Sequence, residues 1–263
     1  MKNDRQTLQR QYADASNLNA RSAIYRFGHP NATPWPRWVF DQLGDLPADA
    51  RVLEIGCGDG GLWKRNLDRL PTGWRIAMLD LSPGMLAAAR PALPATQFPA
   101  FVQGNAERLP FVDGRFDAVI ANHMLYHVAD RPRALREIRR VLVPDGRLFA
   151  GTNSAAHLVP MKDLIDEFLG DASPLEGHLP FSMENGAAAI GGAFAKVESR
   201  FVRGQLRVTD PEAIVRYVMS VEGAPQRITG GRFEELRRRA QRVIESNGAF
   251  ILPTAAGMFV ASD

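Results

Sequence analysis

Two histidines and a tyrosine, His123, Tyr126 and His127, stand close together in the segment HMLYH. Histidine titrates near neutral pH, so these side chains are candidates to take a proton from a reacting group, with His123 as the first candidate. A structural role, in which His127 only forms hydrogen bonds and Tyr126 only packs, stays open. The spacing of His123 and His127 also fits two metal ligands on a helix, but no acid or third ligand accompanies them in the usual pattern. The segment therefore indicates proton transfer without a metal.

A glycine-rich stretch earlier in the chain, VLEIGCGDGG, predicts a strand, a tight turn and a helix. The turn contains three alternating glycines, Gly56, Gly58 and Gly60. Such glycines suit a backbone with positive φ that a ligand approaches closely, and Glu54 would stand at the rim of that site. Cys57 reads as a small turn residue rather than a nucleophile. Dinucleotide-binding proteins have a similar turn, and a plain strand-to-helix connection is a further alternative.

The segments that follow alternate between strands and helices, which favours a parallel, doubly wound α/β sheet. A second strand, 74–79, ends at Asp80, and Ser82 with Pro83 would begin the next helix, which leaves the Asp80 carboxylate for a ligand. Further strands are predicted at 97–103, 116–121 and 147–151, with a helix at 133–142 and a turn at 144–146. Ligands of such sheets bind at the carboxyl ends of the strands, where Gly56, Asp80, Asn105 and Asn122 all fall.

The remaining parts of the chain surround this core of residues 51–151. We expect residues 1–50 to form a helical cap segment, in which Tyr12 and Arg21 either reach over a ligand or serve as a packed aromatic and a surface cation. Residues 152–192 interrupt the alternation and are predicted to be a lid, with His157, His178, Phe181 and Glu184 lining a pocket or lying in surface loops. Residues 193–263 would complete the sheet with strands at 194–202, 250–252 and 257–261 and helices at 211–221 and 232–246.

Composition narrows the function classes. The 263 residues are 45% hydrophobic and 23% charged, as in ordinary globular proteins, and the single cysteine cannot form an internal disulfide, which agrees with the cytoplasm. No run approaches the ~18 apolar residues that a membrane span needs, so we expect a soluble monomer or homodimer. Ten arginines lie between Arg200 and Arg242. Several fall on the polar face of a predicted helix without interleaved aromatic residues, so a nucleic-acid partner is not favoured.

Five motifs together carry a resemblance to a known family. They are LEIGCGDG, LDLSPGML, GNAERLPF, FDAVIANHMLYHV and ALREIRRVLVPDGRL. From Arg51 to Ala150 the chain resembles class I S-adenosylmethionine-dependent methyltransferases of the small-molecule group that includes ubiquinone-biosynthesis-type enzymes. It departs from the family pattern at Asn105, where aspartate is usual, and at Asp145, where glycine is usual.

The resemblance implies a seven-stranded, mostly parallel Rossmann-like sheet and a role for each matching residue. Residues toward the methionine part of S-adenosylmethionine would be Glu54, Gly56, Cys57 and Gly58. Asp80 would bind the ribose, Leu81 and Met85 the adenine faces, and Asn105, Ala106 and Glu107 the adenine edge. Asn122 and His123 would lie near the sulfonium. A dinucleotide site is less favoured, because Leu62, Trp63 and Lys64 follow the glycines where that fingerprint needs another glycine.

Three functions remain open from the sequence. The first is methyl transfer to N, O or C of a small molecule, with the N-terminal segment and the lid closing over the acceptor. The second is an enzyme of the same fold that uses S-adenosylmethionine without transferring methyl, such as a cyclase. The third is a cofactor-binding module without catalysis.

Overall fold

The computed structural model describes Asp14, residues 16–170 and residues 179–263, which form a seven-stranded sheet with helices on both faces. The strands lie in the order β3-β2-β1-β4-β5-β7-β6. Their bounds are β1 Arg51–Ile55, β2 Arg75–Asp80, β3 Ala100–Gln103, β4 Phe116–Asn122, β5 Leu142–Asn153, β6 Lys196–Val208 and β7 Phe250–Ser262. The first five strands are parallel, and β7 runs antiparallel to both of its neighbours. The predicted doubly wound, mostly parallel sheet is confirmed.

Helices cover both faces of the sheet, so its central strands are buried on both sides and their sequences are continuous apolar runs. Helices α2, α3 and α4 pack on one face, and α5 and α7 pack on the other. The helices are α1 Ser16–Ser22, α2 Trp35–Asp41, α3 Gly61–Lys64, α4 Pro83–Ala89, α5 Arg131–Val141, α6 Val159–Leu169, α7 Gly186–Ile190, α8 Pro211–Met219, α9 Ala224–Arg227 and α10 Gly231–Asn247. Short 3-10 turns lie at Ala23–Phe27, Leu67–Arg69, Arg90–Ala92 and Leu125–His127.

Local capping explains where several helices begin. The Ser82 hydroxyl accepts the N–H of Met85, as the sequence predicts, and Pro83 occupies the first turn of α4. The Asp210 carboxylate accepts the N–H of Glu212 at the start of α8. The helix predicted from Leu62 to Leu70 is shorter in the structure. The Asn66 side chain donates to the Leu62 carbonyl at 2.6 Å, and the backbone leaves the α conformation there.

Strand β5 is longer than predicted. The expected turn at 144–146 lies inside the strand as an irregularity, because Phe116 pairs with Leu142 whereas Ala118 pairs with Arg147. A turn signal in the sequence therefore marks a bulge here rather than a strand end.

Strands β6 and β7 form a ribbon that extends beyond the rest of the sheet. Strand β5 pairs with β7 only as far as Asn153 and Ala256, but β6 and β7 stay paired from Lys196–Ser262 to Val208–Phe250. The distal half of the ribbon therefore passes the carboxyl end of β5, where it carries α8, α9 and α10. The sequence predicts two separate short pieces for β7, and the structure joins them in one strand of 13 residues.

The ribbon tip belongs to a second hydrophobic core, which we call the cap core. It contains buried side chains of α6, α8, α10 and the ribbon, together with Ile24 of the N-terminal segment. Leu236 and Ala240 of α10 are buried in it, and Phe233, Val243 and Ile244 pack against it, as the predicted apolar stripe requires. Arginines of α10 lie on the other face, where Arg237 pairs with Glu212. The predicted division of the chain at residues 151 and 192 stays a prediction.

Candidate active site

The glycine-rich turn after β1 depends on positive backbone φ angles. Gly56, Gly58 and Gly60 have φ values of 65°, 55° and 79°, a region that side chains with a Cβ avoid. The N–H groups of Gly56 and Cys57 both donate to the Leu79 carbonyl, at 2.7 and 3.1 Å, which ties the turn to the end of β2. A Cβ on Gly56 would lie 2.7 Å from the Cβ of Met124, so the turn also packs closely against the segment after β4.

Asp80 at the end of β2 organises the same turn. One carboxylate oxygen accepts the N–H of Gly58 at 2.8 Å, and the other accepts the N–H of Ser82 at 2.9 Å. Burial raises the pKa of Asp80 against the opposing effect of these hydrogen bonds. Ser82 caps its helix as predicted, yet the Asp80 carboxylate is engaged by the backbone as well. Each of its oxygens keeps acceptor capacity for a ligand.

Glu54 is buried beneath the turn, 2% exposed, rather than placed at an open rim. Its Oε2 accepts the indole N–H of Trp63 at 2.6 Å. Burial raises the pKa of Glu54 to about 8, and the negative charges of Asp80 and Asp59 add to that effect while the Trp63 hydrogen bond opposes it. The side chain is therefore mostly protonated at neutral pH, unless a cation is placed beside it.

The residues predicted for the adenine site follow β2 and β3. The Asn105 amide oxygen accepts the N–H of Glu107 at 3.1 Å, and its amide nitrogen lies 3.2 Å from a Glu107 carboxylate oxygen. Ala106 and Met85 are buried, whereas Leu81 is half-buried. The other Glu107 oxygen accepts the N–H of Asp130 at 3.0 Å. Glu107 thus connects this loop to the start of α5.

Asn122, Trp35 and His123 meet at the carboxyl end of β4. The Trp35 indole N–H donates to Asn122 Oδ1 at 3.1 Å, and the Trp35 and His123 rings lie 4.9 Å apart. His123 has φ 54°, which is uncommon for a residue with a side chain, and its N–H donates to the Gly151 carbonyl at 2.9 Å. This turn ties the His123 backbone to β5 and leaves the His123 and Tyr126 ring centres 6.5 Å apart.

Three imidazoles at this edge are kept neutral by burial. Burial lowers the pKa of His123 from 6.5 to about 4. It lowers the pKa of His127 to about 4, with smaller contributions from the charges of Arg21 and His123. The pKa of His157 falls to about 3, mainly through burial and also through the charges of His123 and Lys162. At neutral pH each ring therefore keeps a lone pair available as a base or an acceptor.

The N-terminal segment reaches this edge in an arrangement that the sequence does not reveal. A Cβ on Gly58 would lie 3.5 Å from Leu18 of α1, so α1 lies against the glycine turn. Arg21 donates to the Ser220 hydroxyl at 3.2 Å and to its carbonyl at 2.8 Å, which joins α1 to the end of α8. Tyr12 lies outside the described residues.

The segment predicted to be a lid divides in the structure. His157 is buried at the carboxyl edge, near His123. Phe181 lies in the sheet core, 5.9 Å from the Phe259 ring, and so does not line a pocket. Glu184 accepts hydrogen bonds from the Ser154 hydroxyl and the Ala155 N–H. His178 lies outside the described residues, and closure of a lid stays a prediction.

Sequence reasoning gave no role to Tyr25 and Trp35 beyond apolar packing, yet both reach the histidines. Their only sequence signal is that residues 16–50 are rich in aromatic side chains although no strand is predicted in that segment. Among the described residues, no group of three or more His, Cys, Asp or Glu side chains is arranged to hold a metal ion. Likewise, no helix in the described part of the chain is long and apolar enough to cross a bilayer.

The profile of the methyltransferase domain family matches residues 53–150, which run from β1 into β5 and include the glycine turn, Asp80, Asn105 and His123. The match covers the same part of the chain as the motifs that carry the predicted resemblance. The predicted resemblance is confirmed.

Proteins of two bacteria are similar to the methyltransferase domain. The ubiquinone/menaquinone biosynthesis C-methyltransferase of Hahella chejuensis is 35% identical over 148 residues, which make up 55% of this chain and 59% of that protein. The demethylmenaquinone methyltransferase of Beutenbergia cavernae is 36% identical over 135 residues, 51% of this chain and 53% of that protein. The similarity thus spans little more than half the length of these relatives.

Solved structures share the fold over nearly the whole chain. The [4+2]-cyclase SpnF has a TM-score of 0.57 at 18% identity, with 97% of this chain and 95% of that chain covered. The phosphoethanolamine N-methyltransferase 2 of Haemonchus contortus, in complex with phosphomonomethylethanolamine and S-adenosylhomocysteine, has a TM-score of 0.59 at 17% identity, with 98% and 60% covered. At such identities the likeness shows the fold alone.

Proposed function

We propose that the protein is an S-adenosylmethionine-dependent methyltransferase that acts on a small-molecule acceptor. The observation that carries this proposal is the glycine turn, in which three residues hold positive φ and one N–H is held by Asp80. The turn lies at the same sheet edge as the neutral His123 imidazole. This arrangement combines a glycine backbone that a cofactor can approach closely with a side chain that can take a proton.

The residues present fit S-adenosylmethionine. Asp80 offers carboxylate lone pairs at the end of β2, which suits ribose hydroxyls. The Asn105 amide at the end of β3 suits the adenine edge, and Glu54 beneath the turn suits a cationic amine, which would lower its raised pKa. When bound, S-adenosylmethionine supplies an electrophilic methyl group on a sulfonium.

The residues of this chain then align the two reactants and exclude water from them. Holding two reactants in line supplies effective molarities of 10⁵ M or more, on the order needed for such a displacement. Asn122 and Trp35 brace the end of β4 through their hydrogen bond, and His123 beside them accepts a proton where the acceptor carries one. Tyr126 and His127, in the turn that follows, are the remaining candidates.

A small acceptor is supported by what surrounds the carboxyl edge. The ribbon of β6 and β7 and the cap core stand beyond the end of β5, and α1 lies against Gly58. A long polymer would have to displace these elements, whereas a metabolite fits among them. The name of the Hahella chejuensis relative, a C-methyltransferase, makes transfer to carbon a candidate reaction.

Binding and product analysis test the proposal. Calorimetry in EDTA should show binding of S-adenosylmethionine and S-adenosylhomocysteine, and turnover with an acceptor should yield S-adenosylhomocysteine. Loss of binding in EDTA would refute metal-free binding, and tight binding of a nicotinamide dinucleotide instead would refute the cofactor assignment. Methylthioadenosine as the product would indicate an enzyme that consumes the cofactor in another way. Binding without either product across acceptor panels would favour a non-catalytic module. A cyclase-type enzyme that uses S-adenosylmethionine as its substrate stays the second candidate, since the [4+2]-cyclase SpnF shares the fold over 97% of this chain.

A further inference from the structure

Strand β6 is one of the two edges of the sheet, and it is the longer one. It has 13 residues, whereas β3 at the other edge has four. Edge strands are commonly short or interrupted by a proline or a bulge, which prevents pairing with another chain. The sequence of β6, KVESRFVRGQLRV, contains no proline, and its register with β7 continues from end to end without a shift. Its outer side therefore presents a regular row of backbone N–H and C=O groups.

Only the distal end of this outer side is paired in the described part of the chain. There Gly28 forms an antiparallel bridge with Leu206. Over residues 196–205, the strand partner that the structure describes is β7 alone, on the inner side. We call the outer side of residues 196–205 the open edge. It is longer than a strand of ordinary size, about 5–6 residues, so a second strand has room to pair along it.

One face of the open edge carries apolar side chains. Phe201 is 55% exposed, although phenylalanine is among the residues most often buried. Val197, four residues earlier, points to the same face and is partly buried against the sheet core. The exposed Phe201 ring gives this edge apolar surface that a second strand can cover.

The other face carries two opposite charges. The Arg200 guanidinium donates to both carboxylate oxygens of Glu198, at 2.9 and 3.0 Å, and the Glu198 side chain remains 62% exposed. Arg200 also donates to Gln42 Oε1 at the end of α2, at 3.3 Å. Ser199 lies between the two charges. Residues 197–201 are thus symmetric in kind about Ser199, with an apolar side chain at each end and opposite charges inside.

This symmetry fits the pairing of the strand with a second copy of itself. In an antiparallel pair centred on Ser199, Glu198 lies opposite Arg200 of the second copy, and Val197 lies opposite its Phe201. A centre moved by one residue places Glu198 opposite Glu198 or Arg200 opposite Arg200. Like charges directly opposite each other destabilise a pair of strands, so the charges select the register centred on Ser199.

We propose that two copies of this chain form a dimer along the open edge, antiparallel about a two-fold axis at Ser199, so that the two seven-stranded sheets continue into each other. The edge N–H and C=O groups already bond to water in the free chain, so the new ladder contributes little net free energy. Burial of Phe201 against Val197 drives association, and the two charge pairs set the register more than the affinity. Strands β7, β5 and β4 separate this interface from the glycine turn, so the dimer does not depend on the proposed function.

Sedimentation velocity of the full chain over a range of concentrations tests the proposal. The parent protein should show a reversible equilibrium between monomer and dimer. Glu198→Arg and Arg200→Glu each place like charges opposite each other in both cross-strand pairs, so each variant alone should dimerise more weakly by roughly 10-fold or more. An equimolar mixture of the two variants should form a heterodimer, because both pairs then join opposite charges. Since a misfolded variant cannot restore assembly, the mixture also controls for folding.

Two further variants test the apolar contact and the position of the interface. Phe201→Ser should weaken the dimer by roughly 10- to 100-fold, because both protomers lose buried apolar surface. Arg207→Glu is the matched control, since it makes the same charge change at an exposed position of β6 beyond the open edge, and it should leave the dimer unchanged. A parent protein that is monomeric at every concentration would overturn the proposal. So would a dimer that the charge variants leave intact, a mixture that fails to restore it, or equal dissociation of Arg207→Glu.

Discussion

Acid should unfold this protein through its buried histidines. His123, His127 and His157 have pKa values of about 4, 4 and 3 in the folded chain, against 6.5 as the ordinary value. Each lowered pKa contributes stability that is present above pH 6.5 and is lost as the pH falls toward the folded value. The unfolded chain holds about half a proton more per histidine than the folded chain at pH 6.5 and nearly one more at pH 5, which costs about 1.6 kcal/mol per histidine over this range at about 1.36 kcal/mol per proton and pH unit.

The three histidines together should remove about 5 kcal/mol of unfolding free energy between pH 6.5 and 5. Glu54 acts in the opposite direction, because its raised pKa of about 8 lets the folded chain hold a proton that the unfolded chain lacks, which returns about 2 kcal/mol over the same range. The net loss of about 3 kcal/mol is a large part of the stability of an ordinary domain. Urea unfolding at several pH values in this window measures the slope, and carboxylates with lowered pKa values, such as Asp117 and Glu137, act mainly below it. His157→Asn should reduce the net slope by about one half. His29→Asn, at an exposed position, is the matched control. A slope near zero in the parent protein, or one that His157→Asn leaves unchanged, would refute the reasoning.

The cofactor site gives the remaining predictions. Asp80→Ala should weaken S-adenosylhomocysteine binding by about 1.5–3 kcal/mol, the loss expected for hydrogen bonds to a charged group. Gly58→Val should weaken binding further, because residue 58 has a φ of 55° that valine avoids. Parent-like binding of both variants in calorimetry would place the cofactor elsewhere. Gly56→Ala should destabilise the fold by about 1–3 kcal/mol more than Gly114→Ala in urea unfolding, because both have positive φ but only Gly56 meets a side chain, at 2.7 Å. Equal losses would contradict the close contact. The pKa of Glu54 is about 8, and a cationic amine bound beside it would lower that pKa, so binding of S-adenosylmethionine near pH 7 should release protons. Calorimetry in two buffers of different ionisation enthalpy tests this, and equal binding enthalpies in the two buffers would disprove it.

Local sequence signals predicted much of the fold and only part of the site. The cap at Ser82 depends on neighbouring residues, and the strand that ends at Asp80 depends on an apolar run, so both could be read from the chain. The bond between Asp80 and the Gly58 N–H links positions that only the folded sheet brings together. Sequence order likewise gives no sign that His157 would meet Tyr25, 132 positions away.

The continuous β6–β7 ribbon could not be predicted from the sequence either. Pro253 lies within β7, opposite Gln205, and a proline normally argues against a paired strand interior. The alternation along β6 is weak as well, because most of its residues stay exposed at the sheet edge. Both features interrupt the apolar pattern from which strands are predicted.

The β6–β7 ribbon separates a peripheral region, whose sequence and length can change, from the parallel strands, whose pairing has to be kept. The distal half of β6 and β7 forms no ladder with β5, and the helices between these strands pack in the cap core, which they share with α6 and Ile24. Residues 209–249 can therefore be replaced or lengthened without breaking the ladders of the parallel strands. The family profile ends at residue 150, before this region begins. Under the proposed function, such a scaffold would let the peripheral region change while the residues proposed to bind the methyl donor stay as they are.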